Sequence, residues 1–171
     1  MPVEIVTSQV RAKTWSTRLR AQARDLLKLC RLEEYELSLL LTDDGTMREL
    51  NRRFRGRDYP TDVLSFPQID WPSGGRSASR KRPKRVKPAD SMPLPLGDVV
   101  ISLDTARRQA RELGVTLAAR LRALLIHGLL HLLGYDHEAS QLEARRMFRR
   151  ASQLEYRLRR LAAESRREAT A

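Results

Sequence analysis

Cysteine is almost missing. Cys30 stands alone among 171 residues, so neither an intrachain disulfide nor a cysteine-built zinc site can form. A single thiol fits a reducing compartment. Aromatic residues make up 5% of the chain, which weighs against a broad base-stacking platform. No run of about 18 apolar residues occurs, so no helical membrane span is expected. The first residues, Met1-Pro2-Val3-Glu4, offer neither the basic start nor the apolar stretch of a secretory signal. Acidic residues are also short: 21 against 33 Lys and Arg, a net charge of +12. Such an excess favours a polyanion (RNA, DNA or an anionic membrane surface) or spreads arginine over solvated faces.

The apolar share, 41%, is enough for one core, and the whole chain, residues 1–171, is expected to form one domain. Val3 to Thr7 reads as a short strand by its β-branched content. Leu19, Ala23, Leu26, Leu27 and Cys30 share one face of a helix that starts near Thr14. Tyr35, Leu37, Leu39 and Leu41 alternate as a strand, closed by the turn residues Asp43-Asp44-Gly45. Thr46, with Glu49 three residues on, reads as the cap of a short helix carrying Met47, Leu50 and Phe54. Val63 to Phe66 is a strand stopped by Pro67, and Gly97 to Ser102 is a more apolar, central one. Asp104 or Thr105 would cap the next helix, which ends at Gly114. Thr116 opens a longer helix through Leu133, ending at Gly134. From Ser140 the chain is helical again, with Met147, Ala151, Leu154, Leu158 and Leu161 as its apolar stripe.

Residues 71–92 are of a different composition. They hold seven basic residues against one acid, Asp90, half of the whole chain's excess. Rich in Gly, Ser and Pro, the segment reads as a mobile basic insertion, either an arm for RNA phosphates or a solvated loop. A helical, Arg-rich C-terminal extension is expected from about residue 152.

All three histidines fall within eleven residues, His127-Gly-Leu-Leu-His131-Leu-Leu-Gly-Tyr-Asp-His137. His127 and His131 are four apart on a helix, one turn apart on one face, so two imidazoles can reach one ion. His137 cannot stay on that face if the helix continues. Gly134 lets the chain turn back with positive φ and returns His137 toward the pair. Three nitrogen ligands point to zinc with an open fourth position, the catalytic arrangement. The position after His127, where metallopeptidases of the His-Glu-x-x-His type carry their base, is Gly128.

This segment resembles the H-G-x-L-H-L-x-G-Y-D-H signature of the YbeY family, bacterial metal-dependent endoribonucleases. Leu50-Asn51-Arg52-Arg53-Phe54-Arg55, Pro60-Thr61-Asp62-Val63-Leu64-Ser65-Phe66-Pro67 and Leu96-Gly97-Asp98-Val99-Val100-Ile101-Ser102 match three further family segments in order. The resemblance covers about residues 3–70 and 93–155. It implies an α+β fold: a small mixed four-stranded sheet with about five helices and a zinc-site cleft at the end of a central helix. It implies His127, His131 and His137 as ligands of one Zn2+, with Arg55 as the basic residue lining the cleft. The function implied is cleavage of single-stranded RNA in the cytoplasm, in maturation of the 16S rRNA 3′ end and late 70S ribosome quality control. Small-subunit rRNA and the ribosome are then the partners, with neither DNA nor membrane.

Arg55 would clamp phosphate oxygens through its guanidinium fork, or else form a surface salt bridge. Asp136 would orient a ligand histidine or cap the turn. Asp62 and Ser65 would shape the opposite cleft wall or hold a strand edge. No general base stands out. A non-catalytic, zinc-stabilised rRNA-binding assembly factor is the alternative, and a metallohydrolase of another substrate class a more distant one.

Overall fold

The computed structural model describes residues 3–7, 13–69 and 93–168, so the basic insertion at 71–92 lies outside the described residues. Four strands and five helices follow in the order β1 (Val3–Thr7), α1 (Lys13–Leu29), β2 (Tyr35–Thr42), α2 (Asp44–Arg55), β3 (Val63–Pro67), β4 (Leu94–Ser102), α3 (Leu103–Glu112), α4 (Leu117–Leu132) and α5 (Gln141–Glu168). The strands form one mixed sheet in the order β1-β2-β4-β3. β1 and β4 run parallel to β2, and β3 is antiparallel to β4.

Strand alternation sends side chains to two faces. Leu37, Leu39, Leu41, Val99 and Ile101 point to the main core, shared with α1, α4 and the inner stripe of α5. Met147, Leu154 and Leu158 of that stripe are buried, so the expected apolar face of the last helix is in use. Each such fully buried side chain contributes about 2 kcal/mol. On the opposite face Val100 and Leu64 meet Met47 of α2, with Leu40, Leu50 and Phe66 around them. The sheet is thus covered by a thick helical layer on one side and by α2 on the other.

Two helix starts differ from the sequence reading. Asp43, not Thr46, caps α2, its Oδ1 accepting from the Thr46 N–H at 2.7 Å. Ser102, not Asp104 or Thr105, caps α3. Asp44 crosses between the two helix starts, accepting from Ser102 Oγ at 2.5 Å and Thr105 Oγ1 at 2.6 Å. Desolvation opposes its charged form, but the hydrogen bonds from Ser102, Thr105 and Arg108 outweigh it and hold the carboxyl below its ordinary pKa. Thr116 caps α4 as expected.

At Gly97 strand β4 lies directly against both β3 and α4. Its φ is +143°, and an added Cβ would meet Phe66 O at 2.4 Å and Leu132 Cδ2 at 2.9 Å. Just beyond it, the Gln68 N–H donates to Leu96 O at 3.1 Å. The described residues on either side of 70–92 therefore belong to neighbouring antiparallel strands.

Candidate metal centre

Helix α4 is anchored by Leu121, Leu124, Leu125, Leu129, Leu130 and Leu132, all buried. That packing fixes its rotation and leaves His127 and His131 on the side that opens to a cleft. Their Nε2 atoms lie 3.1 Å apart. The helix ends in a Schellman turn: Gly134 has φ +80°, its N–H donates to His131 O, and the Tyr135 N–H donates to Leu130 O. Tyr135 is buried, which pulls the chain back against the helix end. His137 then faces the pair, its ring centroid 5.2 Å from both others. One ring nitrogen from each histidine lies within 4.8 Å of the other two.

These residues fit a metal ion. Two nitrogens on one tetrahedral zinc stand about 3.3 Å apart, given bonds of 2.0–2.1 Å. His137 Nδ1 is buried and has no hydrogen-bond partner among the described residues. Burial, then the neighbouring His131 and His137, push the His127 pKa down to about 4, with Asp62 opposing. Burial and His137 lower His131 too; Asp136 opposes, and the Arg55 guanidinium adds to the lowering. Both rings are therefore neutral near pH 7, the state a cation requires of its ligands.

Gly128 packs directly on the sheet. A Cβ there would come 2.7 Å from Val99 Cγ1 and 3.2 Å from Ser65 Oγ. The carboxylate that a His-Glu-x-x-His enzyme uses has no room at this point of the helix. Ser65, on the β4-facing edge strand, donates to Gly128 O at 3.2 Å. It joins the strand to the metal helix.

The three histidines share a cavity of about 740 Å³ with Arg55, Asp62, Ser65 and Asp136, so all the residues singled out from the sequence meet in one place. Arg55 is the last residue of α2, exposed and with no ion-pair partner among the described residues. It is not in the surface salt bridge that was its alternative. Asp62 accepts from Arg120 Nη2 at 3.0 Å, Gln109 Nε2 at 3.1 Å and the Val63 N–H at 2.8 Å. It ties the start of β3 to α3 and α4. Asp136 accepts from the Glu138 N–H at 2.9 Å, the turn-capping contact, and is exposed.

Several cavity residues escaped the sequence reading. Arg57 adds a second guanidinium, and Tyr59 an exposed ring. The loop that carries them is pinned by buried Asn51, whose Nδ2 donates to Tyr59 O at 2.8 Å, and by the Arg48–Asp58 ion pair at 2.8 Å. The basic and aromatic run Arg55-Gly-Arg57-Asp-Tyr59 was the signal available. Arg120, which fixes Asp62, gave none, because its partner is 58 residues away.

A sequence model of the family described as Endoribonuclease YbeY matches residues 4–159. Proteins named Endoribonuclease YbeY from Persephonella marina, an Anaeromyxobacter species and Geobacter sulfurreducens are 46%, 43% and 40% identical over 123, 154 and 148 residues. Those matches cover 72%, 90% and 86% of this chain and 70%, 70% and 89% of the relatives. A Thermotoga maritima protein solved in solution has the same fold, with a TM-score of 0.62 at 23% identity over 95% of this chain and 93% of that one. The matched span contains the histidine cluster, the Arg55 helix and the β3 strand of the cleft wall, and with it the chain belongs to the Endoribonuclease YbeY family.

Proposed function

We propose that this protein is a zinc-dependent endoribonuclease that cuts single-stranded RNA, acting in the cytoplasm on the 3′ end of 16S rRNA and in ribosome quality control. The observation that carries the reading is the convergence of three imidazoles in one cleft with the Arg55 guanidinium, which has no ion-pair partner among the described residues. The names of the relatives support the reaction class. His127, His131 and His137 would hold the ion. When bound there, the ion would supply Lewis-acid charge for the phosphoryl group and acidify water.

The remaining tasks fall to the chain's own groups. Arg55 donates its fork of N–H groups to the phosphate and stabilises the charge that grows there in the transition state. Arg57, on the pinned loop, adds positive potential at the cleft. Ser65 holds β3 against the metal helix, and Asp62, already engaged by Arg120 and Gln109, fixes the opposite wall instead of moving a proton. A single strand with splayed bases can lower its phosphate into such a concave site, while a stacked duplex cannot bend in as readily.

The test is zinc content measured beside cleavage of a single-stranded and a duplex RNA ladder, for the intact protein and His127→Ala. The proposal expects one zinc per chain and faster cutting of the single strand, both lost in the variant. Intact protein that holds zinc and binds RNA but cuts neither ladder would instead be a non-catalytic assembly factor.

A further inference from the structure

Among the described residues, neither the core nor the metal centre uses the outward face of α5. At 100° per residue, Arg145, Phe148, Arg149, Tyr156 and Arg159 project away from the buried stripe of Met147, Leu154 and Leu158. Phe148 is 60% exposed and Tyr156 63%. Arg145, Arg149 and Arg159 are exposed and have no ion-pair partner among the described residues. The carboxylates from Glu143 to Glu164 do not neutralise that face. Glu143 pairs with Arg146, Glu155 turns inward to Arg122 at 2.6 Å, and Glu164 pairs with Arg160. Arginines interleaved with two solvated rings form the pattern that tracks a phosphate backbone and stacks bases.

The strip also starts at the site. The Phe148 ring lies 6.5 Å from that of His137, centroid to centroid. From Arg145 to Arg159 the helix advances about 21 Å at 1.5 Å per residue, a reach of several nucleotides. We infer that the outer face of α5 is a track for the single-stranded RNA flanking the bond held in the cleft, with Phe148 stacking the base nearest the metal centre and Tyr156 one farther along. The inference rests on the ribonuclease reading for its direction of travel, while the surface itself is argued from charge, exposure and continuity with the cleft.

The experiment measures binding of a fluorescein-labelled, unstructured 15-nucleotide RNA by anisotropy over a salt series. The proteins are the full chain, Arg145→Glu/Arg149→Glu/Arg159→Glu, Phe148→Ala and Tyr156→Ala. The charge-reversed protein is expected to bind at least ~10-fold more weakly, with a salt slope shallower by about 2, since each lost phosphate contact removes about 0.7 for a single strand. Each ring deletion is expected to weaken binding by about fivefold or more without changing that slope. Loss of binding to the long RNA supports the track even if no protein cuts RNA, so failure of the ribonuclease reading is separately visible. Unchanged affinity and slope in the charge-reversed protein, with its far-ultraviolet circular dichroism intact, overturn the track and are what a face reserved for a protein partner would give.

Discussion

A methyl group added at Gly128 would press on Val99 Cγ1, inside the layer between α4 and β4. Overpacking of a core costs about 1–3 kcal/mol, and the gain in helix propensity on going from Gly to Ala returns about 1. Gly128→Ala is therefore expected to lose about 1 kcal/mol, a fall of a few degrees in the thermal midpoint. An unchanged or raised midpoint in calorimetry would show that the contact yields freely. Arg55 makes a different kind of contribution, because it is exposed and has no ion-pair partner among the described residues. Arg55→Glu should fold normally and keep its metal, while RNA cleavage falls to background. Cleavage at the wild-type rate would remove Arg55 from the chemistry.

The turn after α4 sets the geometry of the metal centre. Gly134 holds a left-handed φ of +80°, which costs a residue with a Cβ about 1–2 kcal/mol. In Gly134→Ala the strain falls on the segment that carries His137, so metal affinity measured by chelator competition should drop with His127 and His131 still in place. Equal affinity would mean that the turn does not position the third ligand. This device was readable in the sequence because it is local: two histidines one helical turn apart, a glycine, then a third. The alternating leucines of β2 and the apolar stripe of α5 were readable for the same reason. Helix starts were less so. Residues 43–46 offer several cap-forming side chains in a row, and where β2 stops chooses Asp43 among them. Asp104 was a reasonable cap for α3 by composition, but Ser102 takes that place and Asp104 accepts from the Asp44 N–H across the helix pair at 3.3 Å. Long-range contacts such as Asp62 with Arg120 leave no local trace, which is why Asp62 could be read equally as cleft wall or strand anchor.

Across the molecule, the same burial that keeps the histidines ready for a cation makes the metal-free fold sensitive to acid. His127 has a folded pKa of about 4 against 6.5 in an unfolded chain, and His131 is lowered as well. Above pH 6.5 both states carry neutral rings, so the shift contributes nothing. As the pH falls from 6.5 toward 4, the unfolded chain takes up protons that the folded chain refuses, and stability declines. The urea midpoint of metal-stripped protein should therefore fall across that window, and the His127→Ala protein should show a smaller fall. Equal pH dependence in the two would contradict the neutral, buried His127. The most direct test of the account is elemental analysis of the protein as purified, beside His131→Ala carried through the same steps. One zinc per chain in the former and essentially none in the variant is the predicted result, and full retention of the metal by His131→Ala would contradict the three-histidine centre.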